Sequence, residues 1–384
     1  MLKVLAVSQA LPQWLVDQLK IVLPEGAEVD FITGSKVTNA NIISAPSYVN
    51  KSYFTKLLSW FRFTWFVTRW GRKNKKGYDL IIATSNPPFN STTMSIIKDR
   101  MHCPFIFINW DIYPQGVINE NSRFPLNIAF KVWNRINNIY YPRIDRIVTI
   151  GESMKKFIND YLKQPLDISV IPISVDINKI KPIIKKDNIF LNNNHINSKW
   201  VVLYSGAMGY SKNIELLLET AKVLKSNKDI TFVLIGHGPK YTVAEKILNE
   251  NSLDNVRLFP LQPDNIYPYS ISCGDVVVLP EKITKDNASI PSKTYSMMAA
   301  GEAVIAIGHK KNDLSQLIMQ NNIGEVIDIE DARLLASTIT NLLNDELRLN
   351  SCKRNARELA VKKFSFQATS EMYRNILRKT LNKL

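Results

Sequence analysis

Two stretches, YDLIIATS at residues 78–85 and CPFIFINW at residues 103–110, decide the fold. Each holds a continuous apolar run, Leu80–Ala83 and Phe105–Ile108, closed at both ends by polar or turn residues. A strand with one wet face alternates apolar and polar positions. These do not, so both faces are covered, as in a parallel sheet lying between helices. Working outward, the spacing predicts further strands at Lys3–Val7, Glu28–Ile32, Arg146–Ile150 and Ile168–Ile173, with helix-length amphipathic segments between them. Strand and helix in alternation give βαβ units. The Asn-rich, polar stretch at 176–198 reads as a linker. Beyond it the alternation restarts with WVVLYSG, a helix from about Asn213, then TFVLIGHG, VRLFPL, DVVVLP, AVIAIG and GEVIDI. A helical tract runs from Asp331 to Leu384. The expected class is α/β: two doubly wound, Rossmann-like domains facing a central cleft, with ligands at the carboxyl ends of the strands.

The bulk numbers narrow the partners. The 384 residues carry a formal net charge of +15, which favours phosphates, anionic lipid or nucleic acid. Cys103, Cys273 and Cys352 are scattered, as are the four histidines, so neither a zinc pattern, a redox pair nor a metal box is expected. MLKVLAVSQA reads as a first strand, not a signal peptide. No apolar stretch reaches the ~18 residues needed to span a bilayer. A cytoplasmic protein, free or surface-bound, is the expectation.

The second half holds the sharper motifs. In YSGAMGYSKN, Gly206 and Gly209 follow a strand and Lys212 opens a helix, a place where backbone and cation can meet an anion. LIGHGPK places Gly236, His237 and Gly238 at a second strand end, which a tight turn explains equally well. In SIPSKTYSMMAAGEAVIA, residues 289–306, Ser289, Ile290, Pro291 and Ser292 lead into a helix with Pro291 near its first position. Lys293 lies in its first turn, where a cation opposes the helix dipole unless an anion is bound nearby. Asp328 and Glu330 in IDIED read as capping residues and not as metal ligands.

Together with DVVVLP and VRLFPLQPDNIYPYS, this stretch resembles the donor half of the family 4 retaining glycosyltransferases of the GT-B fold. The segment from YDLIIATSNPP to FINWDIYPQ is similar to their subgroup making bacterial surface polysaccharide or lipid-linked sugars. The resemblance implies a retaining, metal-independent hexosyltransferase without a cofactor, moving a sugar from a nucleotide-sugar donor, with UDP as the expected nucleotide. Its domains would be 1–175 for the acceptor and 199–365 for the donor, with a final helix, 366–384, crossing back to the first. Gly206 and Lys212 would face the diphosphate, Gly236 and Gly238 the nucleotide, the backbone of Leu261 and Gln262 the base, and Ser289 to Lys293 the sugar diphosphate. Asn86, Pro87 and Asp111 would border the acceptor. Lys212, Lys293 and Asp111 are the expected catalytic residues. Many members carry two glutamates before the Ala-Gly step; here Ala288 and Ser296 stand there, and Ser296 can still reach a ribose. A nucleotide-sugar epimerase, and behind it a nucleic-acid-binding protein, are the alternatives.

WFRFTWFVTRWGRKNKK, residues 60–76, belongs to a predicted helix with two apolar stripes. Phe54, Leu57, Leu58, Phe61 and Trp65 are expected on the sheet. Trp60, Phe63, Val67 and Trp70 are expected outside. Eight Lys or Arg and no Asp or Glu lie between Lys51 and Lys76. Trp60, Phe63, Trp70, Arg72 and Lys73 are therefore expected to dock the protein on the anionic inner face of the cytoplasmic membrane, beside a lipid-linked or glycan acceptor.

Overall fold

A computed structural model describes every residue except 116, 118–123, 163–164, 284–289 and 382–384. The chain forms two compact units, Met1–Pro172 with Thr369–Leu384, and Ile173–Ala368. The first contains β1 (Lys3–Val7), β2 (Glu28–Thr33), β3 (Asn41–Ser44), β4 (Leu80–Thr84), β5 (Phe105–Asn109), β6 (Arg146–Thr149) and β7 (Ile168–Val170). Among the described residues they make one sheet in the order β3-β2-β1-β4-β5-β6-β7, with every pair parallel. All five residues of β4 and of β5 are buried, as their unbroken apolar runs require. Each of their Leu, Ile and Phe side chains contributes ~1.5–3 kcal/mol by leaving water. The edge strand β3 escapes the sequence reading because its apolar residues are only half covered.

The second unit contains β8 (Trp200–Ala207), β9 (Ile230–His237), β10 (Val256–Pro260), β11 (Val276–Pro280), β12 (Ala303–Ile307) and β13 (Gly324–Ile327). Its sheet runs β10-β9-β8-β11-β12-β13, parallel throughout. In each sheet the strand order reverses once, between β1 and β4 in the first and between β8 and β11 in the second. Crevices open at such reversals, at the carboxyl ends of the strands.

The stretch 176–198 is not a loose linker. Phe190, Leu191 and Ile196 lie in the core of the second unit. Buried Asn188 caps a short helix, Ile189–Asn193, and its amide donates to the Tyr269 carbonyl. The polar composition that suggested a linker is partly buried hydrogen-bonding capacity. The final helix, Phe366–Leu381, completes the core of the first unit with Tyr373, Ile376 and Leu377. Gln18 donates to Ser370 Oγ at 2.7 Å in the same place.

The helix Tyr53–Lys73 overturns the expected orientation. Trp60, Phe63 and Val67 are 1%, 0% and 0% exposed, whereas Phe54, Phe61 and Trp65 are 73%, 60% and 65% exposed. Trp60 and Phe63 are core and cannot dock anything. Trp70 is half-buried, its ring 6.3 Å from that of Tyr78, while Arg72 and Lys73 are exposed. Both stripes are apolar, so periodicity alone does not rank them. Their small residues do. A Cβ on Gly71 would stand 2.7 Å from Ile97 Cδ1, and the buried Ser59 carbonyl accepts from Gln9 Nε2 at 2.9 Å. The face bearing Ser59, Trp60, Phe63, Val67 and Gly71 is the one that can approach the unit closely.

Candidate functional site

At the reversal in the second unit, the two glycine turns are sewn together. Met208 N donates to His237 O at 2.7 Å, and Lys240 N to Met208 O at 3.0 Å. Gly206 and Gly236 face each other in the β8–β9 register. A Cβ on Gly236 would fall 2.2 Å from Gly206 O. Gly238 has φ +122° and would meet Met208 O at 2.9 Å. These two glycines are required by packing. Gly206 and Gly209 are not: a Cβ on Gly206 would meet nothing closer than 3.5 Å, and one on Gly209 nothing within 4 Å. In the turn after β8, Gly209 therefore presents bare backbone to open space. His237 is exposed, as is Leu261 beyond the edge strand β10, and Gln262 turns its amide back to the Pro260 carbonyl at 2.8 Å.

The predicted cations have different fates. Lys212 pairs with Glu281, and Lys282 N donates to Ser211 O at 2.9 Å, so the ends of β8 and β11 are tied. Lys240, 5% exposed, reaches Lys212 O at 2.7 Å and Glu215 Oε2 at 2.6 Å, further fixing that turn. Lys293 opens the helix Lys293–Ala299; Ser292 is its N-cap, so Pro291 lies one residue before the helix and not at its first position, with its carbonyl accepting from Thr294 N at 2.9 Å. The Lys293 ammonium is half-buried, 3.4 Å from Ser205 Oγ and 5.5 Å from the centre of the Tyr267 ring, with no carboxylate partner among the described residues. Burial pushes its pKa below the ordinary lysine value. The structure thus brings Lys293 to the residue preceding Gly206. Ser296 hydrogen-bonds Tyr267. Ile290 packs partly buried against the core and Ser292 is exposed, while Ser289 lies outside the described residues. Tyr267 was missed by the sequence reading; nothing in DNIYPYS distinguishes it from a packing tyrosine.

Glu330 acts as a clasp and not as a helix cap. It accepts from Asn213 Nδ2 and Ile283 N, each at 2.7 Å, while Asp331 caps the next helix through Leu334 N. Among the described residues no three His, Cys, Asp or Glu side chains gather as a metal site would need.

At the reversal in the first unit, Gln9 N donates to Asn86 O and Asn90 Nδ2 to Thr84 O. Gln9 Oε1, Asn86 Oδ1 and Asn90 Oδ1 are buried oxygens without a donor among the described residues. Pro87 follows Asn86 through a cis peptide. At the end of β5, Ser85 Oγ accepts from Trp110 N and Asp111 N at 3.1 and 3.2 Å. Asp111 keeps solvent contact, but desolvation by the surrounding protein raises its pKa against the opposing pull of Lys56 and of its bond to Ser85.

Two sequence profiles match the chain. One, described as Glycosyltransferase Family 4, covers residues 4–179; the other, Glycosyl transferases group 1, covers residues 185–359. The chain belongs to the family 4 glycosyltransferases. A protein named "Probable glycosyltransferase WbjE" from Pseudomonas aeruginosa is 22% identical over 304 residues, 79% of this chain and 75% of its own. The lipopolysaccharide 1,2-N-acetylglucosaminetransferase of Salmonella typhimurium is 22% identical over 66% of this chain and 68% of its own. The crystal structure of Anabaena HepE with UDP and glucose superposes with a TM-score of 0.73 at 14% identity, covering 100% of both chains. The GT-B architecture of this family 4 glycosyltransferase is that of its structural neighbours.

Proposed function

We propose that this glycosyltransferase moves a hexose from a UDP-sugar to a lipid-linked or polysaccharide acceptor, with retention of anomeric configuration, in the building of a bacterial surface glycan at the inner face of the cytoplasmic membrane. The observation that carries the reading is Lys293: a half-buried cation without a carboxylate among the described residues, held at the strand whose following turn leaves backbone open at Gly209. Such a group is arranged for an anion that arrives with the substrate. UDP is favoured by its presence in HepE, and a glycan acceptor by the name of the Salmonella relative. The donor's sugar–phosphate bond breaks with its electron pair leaving on the phosphate oxygen. Lys293 stabilises that charge as it forms. The acceptor oxygen bonds the anomeric carbon on the same face, and its proton passes to the departing phosphate. Asn86 and Pro87, just past the end of β4, stand on the acceptor side of this reading. Asp111 orients the reacting hydroxyl.

The test is a panel of nucleotide sugars scored by melting temperature. A UDP-sugar is expected to raise it, and the shift and the transfer should persist in excess chelator. Loss of transfer in chelator, restored by magnesium or manganese, overturns the metal-free reading. A panel in which no nucleotide sugar stabilises the protein overturns the donor assignment.

A further inference from the structure

Two helices of the first unit carry apolar stripes that no described residue covers. On the helix Tyr53–Lys73, Phe54, Leu58, Phe61 and Trp65 are exposed at spacings of four, three and four residues. On the helix Leu126–Tyr140, Ile128, Val132, Ile136 and Ile139 are exposed. The stripes meet through aromatic rings: Phe61 lies 5.5 Å from Phe89, and Phe89 stacks at 4.9 Å on Trp133 of the second helix. Exposed hydrophobic residues scattered singly are ordinary. Two adjoining rows of them mark a surface that meets a partner.

Charge says which partner. Neither helix contains an Asp or Glu, and Arg62, Arg69, Arg72, Lys73, Lys131 and Arg135 are exposed along them. Arg69 lies over the Trp65 ring at 5.6 Å, so cation and aromatic share one edge of the stripe. A second copy of this face would set cations against cations, which disfavours pairing. An anionic bilayer suits both features, taking the apolar rows into the boundary between headgroups and acyl chains while the basic rim meets lipid phosphate. Among the described residues no helix is long and apolar enough to cross a membrane. We infer that these two helices form the surface on which the first unit rests against an anionic lipid bilayer. The inference depends on the membrane-side reading above for its biological setting, and not for the binding itself.

The experiment is flotation of the full chain with vesicles of phosphatidylcholine and phosphatidylglycerol, set beside vesicles of phosphatidylcholine alone. Wild type should float with the anionic vesicles and less so at high salt. A variant with Phe54→Ser, Leu58→Ser, Trp65→Ser and Val132→Ser should stay at the bottom with its melting temperature kept. A second variant, Arg62→Gln, Arg69→Gln and Arg72→Gln, should lose about a hundredfold in partitioning. Wild type that stays behind, or a serine variant that floats as well as wild type, overturns the inference. So does a dimer in solution that the serine changes abolish while no flotation occurs, since a second copy would then be the partner. Donor binding measured on the same samples separates the two readings. Flotation without any nucleotide-sugar stabilisation keeps the surface and removes the donor assignment; stabilisation without flotation does the reverse.

Discussion

Lys293→Ala is expected to cut turnover by about 100- to 1000-fold, the range for losing one preorganised charge-stabilising donor, and to leave the fold intact. Its ammonium is half-buried with no carboxylate partner among the described residues, so the folded chain gives up little when it goes. Removing it relieves a desolvation cost, and the melting temperature should hold or rise. The pH profile gives a second readout. The cation is the active form, and burial lowers its pKa. Activity is therefore lost as pH rises through that lowered value, and the alkaline limb of kcat/KM should lie below the ordinary lysine range. A bound diphosphate favours the cation, so the limb of kcat should lie higher. Lys293→Arg should move the limb out of range. Full turnover by Lys293→Ala would remove the residue from the reaction. Lys212→Ala should act differently, because Lys212 already has Glu281 and its loss loosens the turn.

Trp60→Ala or Phe63→Ala should destabilise the first unit by about 3–5 kcal/mol, the usual cost of emptying a buried aromatic site. Total stabilities are only about 5–15 kcal/mol, so either loss is a large share of what keeps the unit folded. Trp60 also sits edge-on to Tyr113, with ring centres 5.6 Å apart, and its removal strips that contact. Trp65→Ala, on the same helix, should change stability by no more than about 0.5 kcal/mol, since the ring is 65% exposed. Urea unfolding of the three variants decides the matter. If Trp60→Ala and Trp65→Ala unfold together, the inward face of the helix is wrongly assigned.

The sheets were legible because covered parallel strands leave unbroken apolar runs, as in LIIA and FIFI, that little else imitates. The edge strand β3 was not, since half-covered residues leave no such run. The helix Tyr53–Lys73 was assigned correctly as a helix and turned the wrong way: two apolar stripes compete on it, and the deciding marks, Ser59 and Gly71, were passed over for larger residues. In the candidate site, the glycines and lysines stand out in the sequence by their place after strands. What could not be read was which had structural work. Gly236 and Gly238 are demanded by neighbouring backbone, and Lys212 by Glu281, and those constraints come from strands distant in sequence. Lys293 does open a helix, as the pattern predicted, and that helix start meets the carboxyl end of the central strand β8.

The first unit draws its core from two places in the chain, with Tyr373, Ile376 and Leu377 packing beside Val4, Leu15 and Leu19. During translation, residues 1–172 must wait for some 200 more to be made before that core can close. The second unit is continuous in sequence and can fold first, while the amino-terminal half is still missing a helix. A ribosome that stalls near residue 365 would release one finished unit and one with an open apolar seam. Quality control would see the seam, so the helix Phe366–Leu381 governs whether a unit begun more than three hundred residues earlier survives.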